Sequence, residues 1–158
     1  MKNLGFMLLT GLFLVSCNRA PEAVNRLMSE TGAGVAVADS VKDGVFIHIT
    51  ESYDDPHRVL MPLKMAEIMS HDRDVIVYMD IHAVELLVSG AEDLNFTGFE
   101  SAQTYIRRLL DDHVGIYACP TCLKIAGFEP DDLMEGIRVA DKDKFFSFTK
   151  GRIITLDY

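Results

Sequence analysis

The sequence predicts a three-layer α/β domain on a five-stranded, mainly parallel sheet, and three observations carry that prediction. From Val45 onward, short β-rich runs alternate with longer helical patterns, which is the texture of βαβ units. Apolar residues make up 49% of the 158, which suits one domain with a sizeable core. No internal repeat or low-complexity tract breaks the alternation.

The chain before that domain reads differently. Lys2 precedes an apolar run from Leu4 to Val15, relieved by Thr10 and Gly11. This is the length of a secretory h-region and too short to span a bilayer. The run ends in Leu14-Val15-Ser16-Cys17, which resembles the lipobox of bacterial lipoproteins. The resemblance implies removal of residues 1–16, lipid on Cys17, and a protein anchored at the cell envelope facing the periplasm or exterior. Buried acyl chains contribute about 0.8 kcal/mol per CH₂, so several would hold the domain at a membrane. Residues 17–44 are rich in Ala, Glu, Gly and Ser and read as a tether; residues 45–158 form the domain.

Within the domain the elements follow in order. Val45 to Thr50 reads as a strand, Pro56 to Met69 as a helix and Asp74 to Met79 as a second strand. A short helical piece spans His82 to Val88, with Asp80 as its N-cap, and a longer helix runs from Glu100 to Asp111 on an apolar face of Tyr105, Ile106, Leu109 and Leu110. Val114 to Tyr117 is the third strand and Gly136 to Ala140 the fourth. Lys142 to Phe148 reads as a helix stopped at Gly151, and Ile153 to Leu156 as the fifth strand.

The third strand runs into Cys119-Pro120-Thr121-Cys122 and then into helix-compatible residues. Two thiols therefore fall where a strand ends and a helix begins, beside N–H groups that lack partners within the helix. Such positions lower a thiol pKa from about 8.5 to roughly 3.5–7.5, which makes a nucleophile at neutral pH. Pro120 suits the first helical turn. With Cys17 assigned to lipid, Cys119 and Cys122 are the remaining pair, and an exported protein could hold them as a disulfide.

The segment Cys119-Pro120-Thr121-Cys122, followed by Gly127 and by Asp132-Leu133-Met134-Glu135-Gly136-Ile137, resembles the DsrE/DsrF-like family, in which a C-P-x-C segment follows the third strand. The order of units from Val45 to Leu156 agrees. The resemblance implies a flavodoxin-like α/β/α sandwich, assembly into trimers or hexamers, and a cysteine that carries sulfane sulfur as a persulfide. Relay members of that family are cytoplasmic and often use one cysteine, whereas this chain reads as exported and has two.

Because ligands bind beyond the carboxyl ends of parallel strands, the loops after the first three strands should share one edge. They bring Glu51, Tyr53, Asp54, His57, Asp80 and His82 toward the cysteines. His82 is placed nearest, as a proton carrier for Cys119 or a third ligand to a metal; its plain alternative is a solvent or oligomer contact. His48 reads as a hydrogen-bonded strand residue, His71 and His113 as helix-end cations, and Met61, Met65 and Met69 as core. Lys142 and Lys144 could draw an anionic sulfur species to the same edge, or line a solvated helix face. A thioredoxin is disfavoured by the late position of the pair, and a zinc ribbon by the lack of a second ligand pair.

The expected chemistry is persulfide transfer or thiol redox by Cys119 and Cys122 with His82, without a cofactor. The rival is a metal-binding or scaffold module on the same residues. Expected partners are thiol or sulfane-sulfur donor and acceptor proteins, the membrane through lipid, and other copies of the chain. A net charge of −9 sets nucleic acid aside.

Overall fold

The structure is a computed structural model describing residues 41–145 and 147–158. The expected leader 1–16, the expected lipidation site Cys17 and the expected tether up to residue 40 lie outside the described residues. Five strands form one sheet: β1 (Gly44–Ile49), β2 (Asp74–Met79), β3 (Gly115–Ala118), β4 (Arg138–Val139) and β5 (Ile153–Asp157). Their order is β4-β3-β2-β1-β5, and every pairing is parallel. The α/β layering expected from the sequence is the one observed.

Strand pleating divides the side chains cleanly. Ile47 pairs with Val77 and Val77 with Ile116, while Ile49 pairs with Met79 and Met79 with Ala118. All six are fully buried on one face. That face is covered by α1 (Pro56–Ser70) and α2 (Ala102–Asp111), through Leu60, Leu63, Ile106 and Leu109, with Leu123 of α3 (Pro120–Ala126) in the same core. Each such aliphatic side chain contributes roughly 1.5–3 kcal/mol on burial. Asp55 caps α1 by accepting from the Arg58 amide at 3.3 Å, ahead of Pro56. Ser101 caps α2 through the Thr104 amide, so that helix opens at Ala102 rather than at Glu100. Met65 and Met69 pack against the core as expected.

The opposite face carries Phe46, His48, Tyr78 and Tyr117, an aromatic surface whose described helical cover is the single turn α4 (Lys142–Phe145). Phe145 meets Phe46, Tyr78 and Tyr117 with ring centroids at 5.8, 5.0 and 5.7 Å.

Four expectations need correction. β4 has two residues rather than five, because the Ile137 amide turns back to the Met134 carbonyl at 3.1 Å and spends residues 134–137 in a turn. α4 ends at Phe145, and Ser147 and Phe148 lie in a bend. Gly151 stops no helix: a Cβ there would run into the Lys42 carbonyl oxygen, so the residue permits two backbones to approach. Asp80 does not cap the 3₁₀ turn Ala83–Leu87; the residue before that turn is His82, without a side-chain cap bond, and the Asp80 carboxylate is held by His48 instead. The domain's contacts also begin before its first strand, since Thr149 donates to the Lys42 carbonyl and Arg152 pairs with Asp43 at 2.6 Å.

Candidate functional site

Cys119 is the N-cap of α3, with Pro120 at its first helical position and Gly127 closing it in the left-handed conformation at φ 85°. The Cys119 amide donates to the Met79 carbonyl at 3.0 Å, which ties the end of β3 to the end of β2. This brings Tyr78, the residue of β2 that points to the aromatic face, beside the first thiol.

The two sulfurs have opposed surroundings. Burial pushes the Cys119 thiol up, but hydrogen bonds from the Tyr78 hydroxyl, the Cys122 amide and thiol and the Thr121 amide outweigh it and hold Cys119 below the ordinary thiol range. Burial pushes the Cys122 thiol up, and the neighbouring Cys119 sulfur and Asp80 carboxylate add to that, against one donor, the Ile81 amide. Tyr78 stays neutral far into the alkaline range, first because it is buried and then because it faces the Cys119 sulfur. A proton is thus available between Tyr78 and Cys119, and negative charge settles on Cys119.

Ile81 supplies its amide from a strained position. Its φ is 49°, in the left-handed region that a β-branched residue avoids, at a cost on the order of 1–3 kcal/mol. Backbone bonds on both sides hold it there, from the Asp80 amide to Ile49 at 3.1 Å and from the His82 amide to Thr50 at 3.2 Å.

A second tier fixes Tyr78. The His48 ring stacks on it with centroids 5.5 Å apart. His48 Nε2 lies 2.9 Å from Asp80 Oδ1, and Nδ1 lies 2.7 Å from Asp157 Oδ1. The sequence expectation of a hydrogen-bonded strand histidine holds, but on the aromatic face.

The thiols open onto different grooves. Cys119 lines one of 570 Å³ with Phe46, Tyr78, Lys142, Phe145 and Thr155. Cys122 lines another of 370 Å³ with Ile81, His82, Glu85, Ile125 and Ala126. His82 is therefore on the Cys122 side, well exposed, with Nδ1 3.6 Å from Glu85 Oε1. Tyr53 and His57, expected near the cysteines, belong to a separate cluster: Tyr53 donates to the Glu92 carbonyl at 2.9 Å, and His57 stacks on Phe96. Lys142 reaches the Cys119 groove, whereas Lys144 lines a thiol-free groove of 510 Å³ with Lys42, Arg73 and Arg138. Among the described residues, no three His, Cys, Asp or Glu side chains gather as a metal-ligand set.

Sequence reasoning missed Tyr78 and the Asp157 contact. The alternation Val75, Val77, Met79 inward leaves Tyr78 outward, next to a β3 that runs into Cys119, and that signal was readable.

Solved structures that resemble this one include two matched over nearly their whole length. The ychN protein of E. coli superposes with a TM-score of 0.58 at 16% identity, covering 72% of this chain and 99% of its own. The fold is DsrE-like. MTH1491 of Methanobacterium thermoautotrophicum, a protein of unknown function, gives a TM-score of 0.53 at 22% identity, covering 72% of this chain and 98% of its own. At these identities the DsrE-like likeness is one of fold alone. No family model and no curated protein matches the chain.

Proposed function

We propose that this DsrE-like chain is a thiol protein of the cell envelope, anchored by lipid on Cys17, that accepts sulfane sulfur on Cys119 and exchanges it through Cys122. The observation that carries the reading is the opposed environment of two adjacent sulfurs, one stabilised as thiolate by four donors and the other held as thiol. A persulfide donor R–S–SH presents its outer sulfur to the Cys119 thiolate; a new S–S bond forms, the donor's S–S bond breaks, and R–SH leaves with the proton. Cys122, once deprotonated, attacks Cys119 Sγ and expels hydrosulfide, which leaves the Cys119–Cys122 disulfide. Phe46, Tyr78 and Phe145 give the first step apolar walls, and Lys142 in the same groove suits an anionic donor. Assembly into trimers or hexamers belongs to the same proposal.

The test is mass spectrometry of the reduced chain treated with polysulfide. The expected product is a gain of one sulfur on Cys119, followed by loss of two hydrogens from the pair. Cys119→Ser should give neither, and Cys122→Ser should stop at the added sulfur. Tight metal uptake by the Cys pair with no sulfur gain would favour the metal-module reading instead.

A further inference from the structure

We infer that an external thiol enters the Cys119–Cys122 disulfide at Cys122, through the groove bounded by Ile81, His82, Glu85, Ile125 and Ala126. The inference rests on the thiol-redox reading above and adds the direction from which reduction comes. Two independent features point the same way.

The first is access. Cys122 opens onto that groove and Cys119 does not, while Cys119 opens onto the aromatic groove and Cys122 does not. The Cys122 groove has exposed apolar walls, with Ile125 80% and Ile81 54% accessible. An incoming thiol reaches Cys122 Sγ there without displacing Phe145 or whatever occupies the groove of Cys119.

The second is the leaving group. A thiolate that attacks one sulfur of a disulfide expels the other, and the sulfur whose thiolate is more stable leaves faster. Attack at Cys122 expels Cys119 into its waiting donors, the Tyr78 hydroxyl and the Thr121 and Cys122 amides. Attack at Cys119 would expel Cys122, which has the Ile81 amide as its donor and Asp80 nearby. In the favoured step an R–S–Sγ bond forms at Cys122, the Cys119–Cys122 bond breaks, and Cys119 takes the electron pair. A second external thiolate then attacks R–S, releasing R–S–S–R and returning Cys122, so two electrons pass from two external thiols. Sulfur thus enters on one side of the pair and reducing equivalents on the other.

The chain oxidised with diamide and checked for loss of two hydrogens would be mixed with glutathione, quenched in acid at short times and alkylated. The tryptic peptide of residues 109–124 contains both cysteines, and fragmentation before Pro120 separates them. Glutathione on Cys122 with alkylated Cys119 is the expected result. Ala126→Gln, which narrows the Cys122 groove, should slow reduction by glutathione several-fold, its urea midpoint reporting that the domain is intact. Glutathione on Cys119 at the earliest times, or an unslowed A126Q variant, would overturn the inference and leave the redox reading standing. Failure of diamide to close the disulfide would sink both.

Discussion

The two faces of the sheet are made from the same strands and differ in almost everything else. One is aliphatic, fully buried and covered by α1, α2 and α3; the other is aromatic and hydroxyl-bearing, half-covered by the turn of α4. Alternation along β2 sends Val77 and Met79 into the first and Tyr78 into the second. The first face supplies most of the stability, and the second supplies the environment of Cys119. Strand geometry lets one segment do both, because consecutive residues cannot share a face.

The sharpest way to break this division is to cut into each face in turn. Ile47→Ala removes a fully buried side chain between β2 and β5 and should cost about 2–5 kcal/mol in urea unfolding. Phe46→Ala, one residue away on the half-buried face, should cost less and should change the rate at which Cys119 is alkylated. Equal losses of stability would erase the distinction between the faces.

Cys119→Ser should leave the urea midpoint nearly unmoved and abolish rapid iodoacetamide labelling near neutral pH. The wild-type pH profile carries a sign. Cys119 is held below the ordinary thiol range, so its labelling should rise with a midpoint below about 8.5, whereas Cys122 should label above it. The same depression contributes stability that is full above about pH 8.5 and is lost as pH falls through the folded-state value of Cys119. A reversed order of midpoints would overturn the assignment of roles.

How far the sequence revealed each face follows from the physics of each. The aliphatic face was legible: the run Asp74–Met79 was read to the residue, because β-branched residues bounded by polar turns announce a strand locally. The Cys119 junction was legible too, since Pro120 and Gly127 mark where α3 starts and stops. The His48 contacts behind Tyr78 were not, because they depend on register. His48 meets Asp157 through the β1–β5 pairing, and nothing near either residue encodes it. Asp80 looked like a cap because Asp before a helical run usually is one; His48, from the neighbouring strand, competes for its carboxylate and wins at 2.9 Å.

Tyr78→Phe separates the ring from the hydroxyl. The ring keeps its packing against His48 and Phe145, so stability should move little, while Cys119 loses the foremost of its stabilising donors. A hydrogen bond that favours the charged form lowers a thiol's pKa, so the labelling midpoint of Cys119 should rise when the hydroxyl is removed. An unmoved midpoint would mean that the helix-start amides alone hold the thiolate.

The smallest effect tests whether His48 acts through Tyr78. His48→Asn removes the ring that stacks on Tyr78 and breaks the contact with Asp80, so the Tyr78 hydroxyl should wander from Cys119 and labelling near neutral pH should slow by a few-fold. Asp157→Asn removes the other carboxylate, which is 72% exposed, and a polar contact that open to water is worth roughly 0–1 kcal/mol. Its labelling rate should therefore match wild type, although hydrogen exchange at the Tyr158 amide, which donates to the His48 carbonyl at 3.1 Å, should quicken as the end of β5 loosens. If Asp157→Asn slows Cys119 as much as His48→Asn does, the influence runs through the carboxylate contacts of the imidazole rather than its stacking. The aromatic face would then reach the thiol by electrostatics instead of by packing.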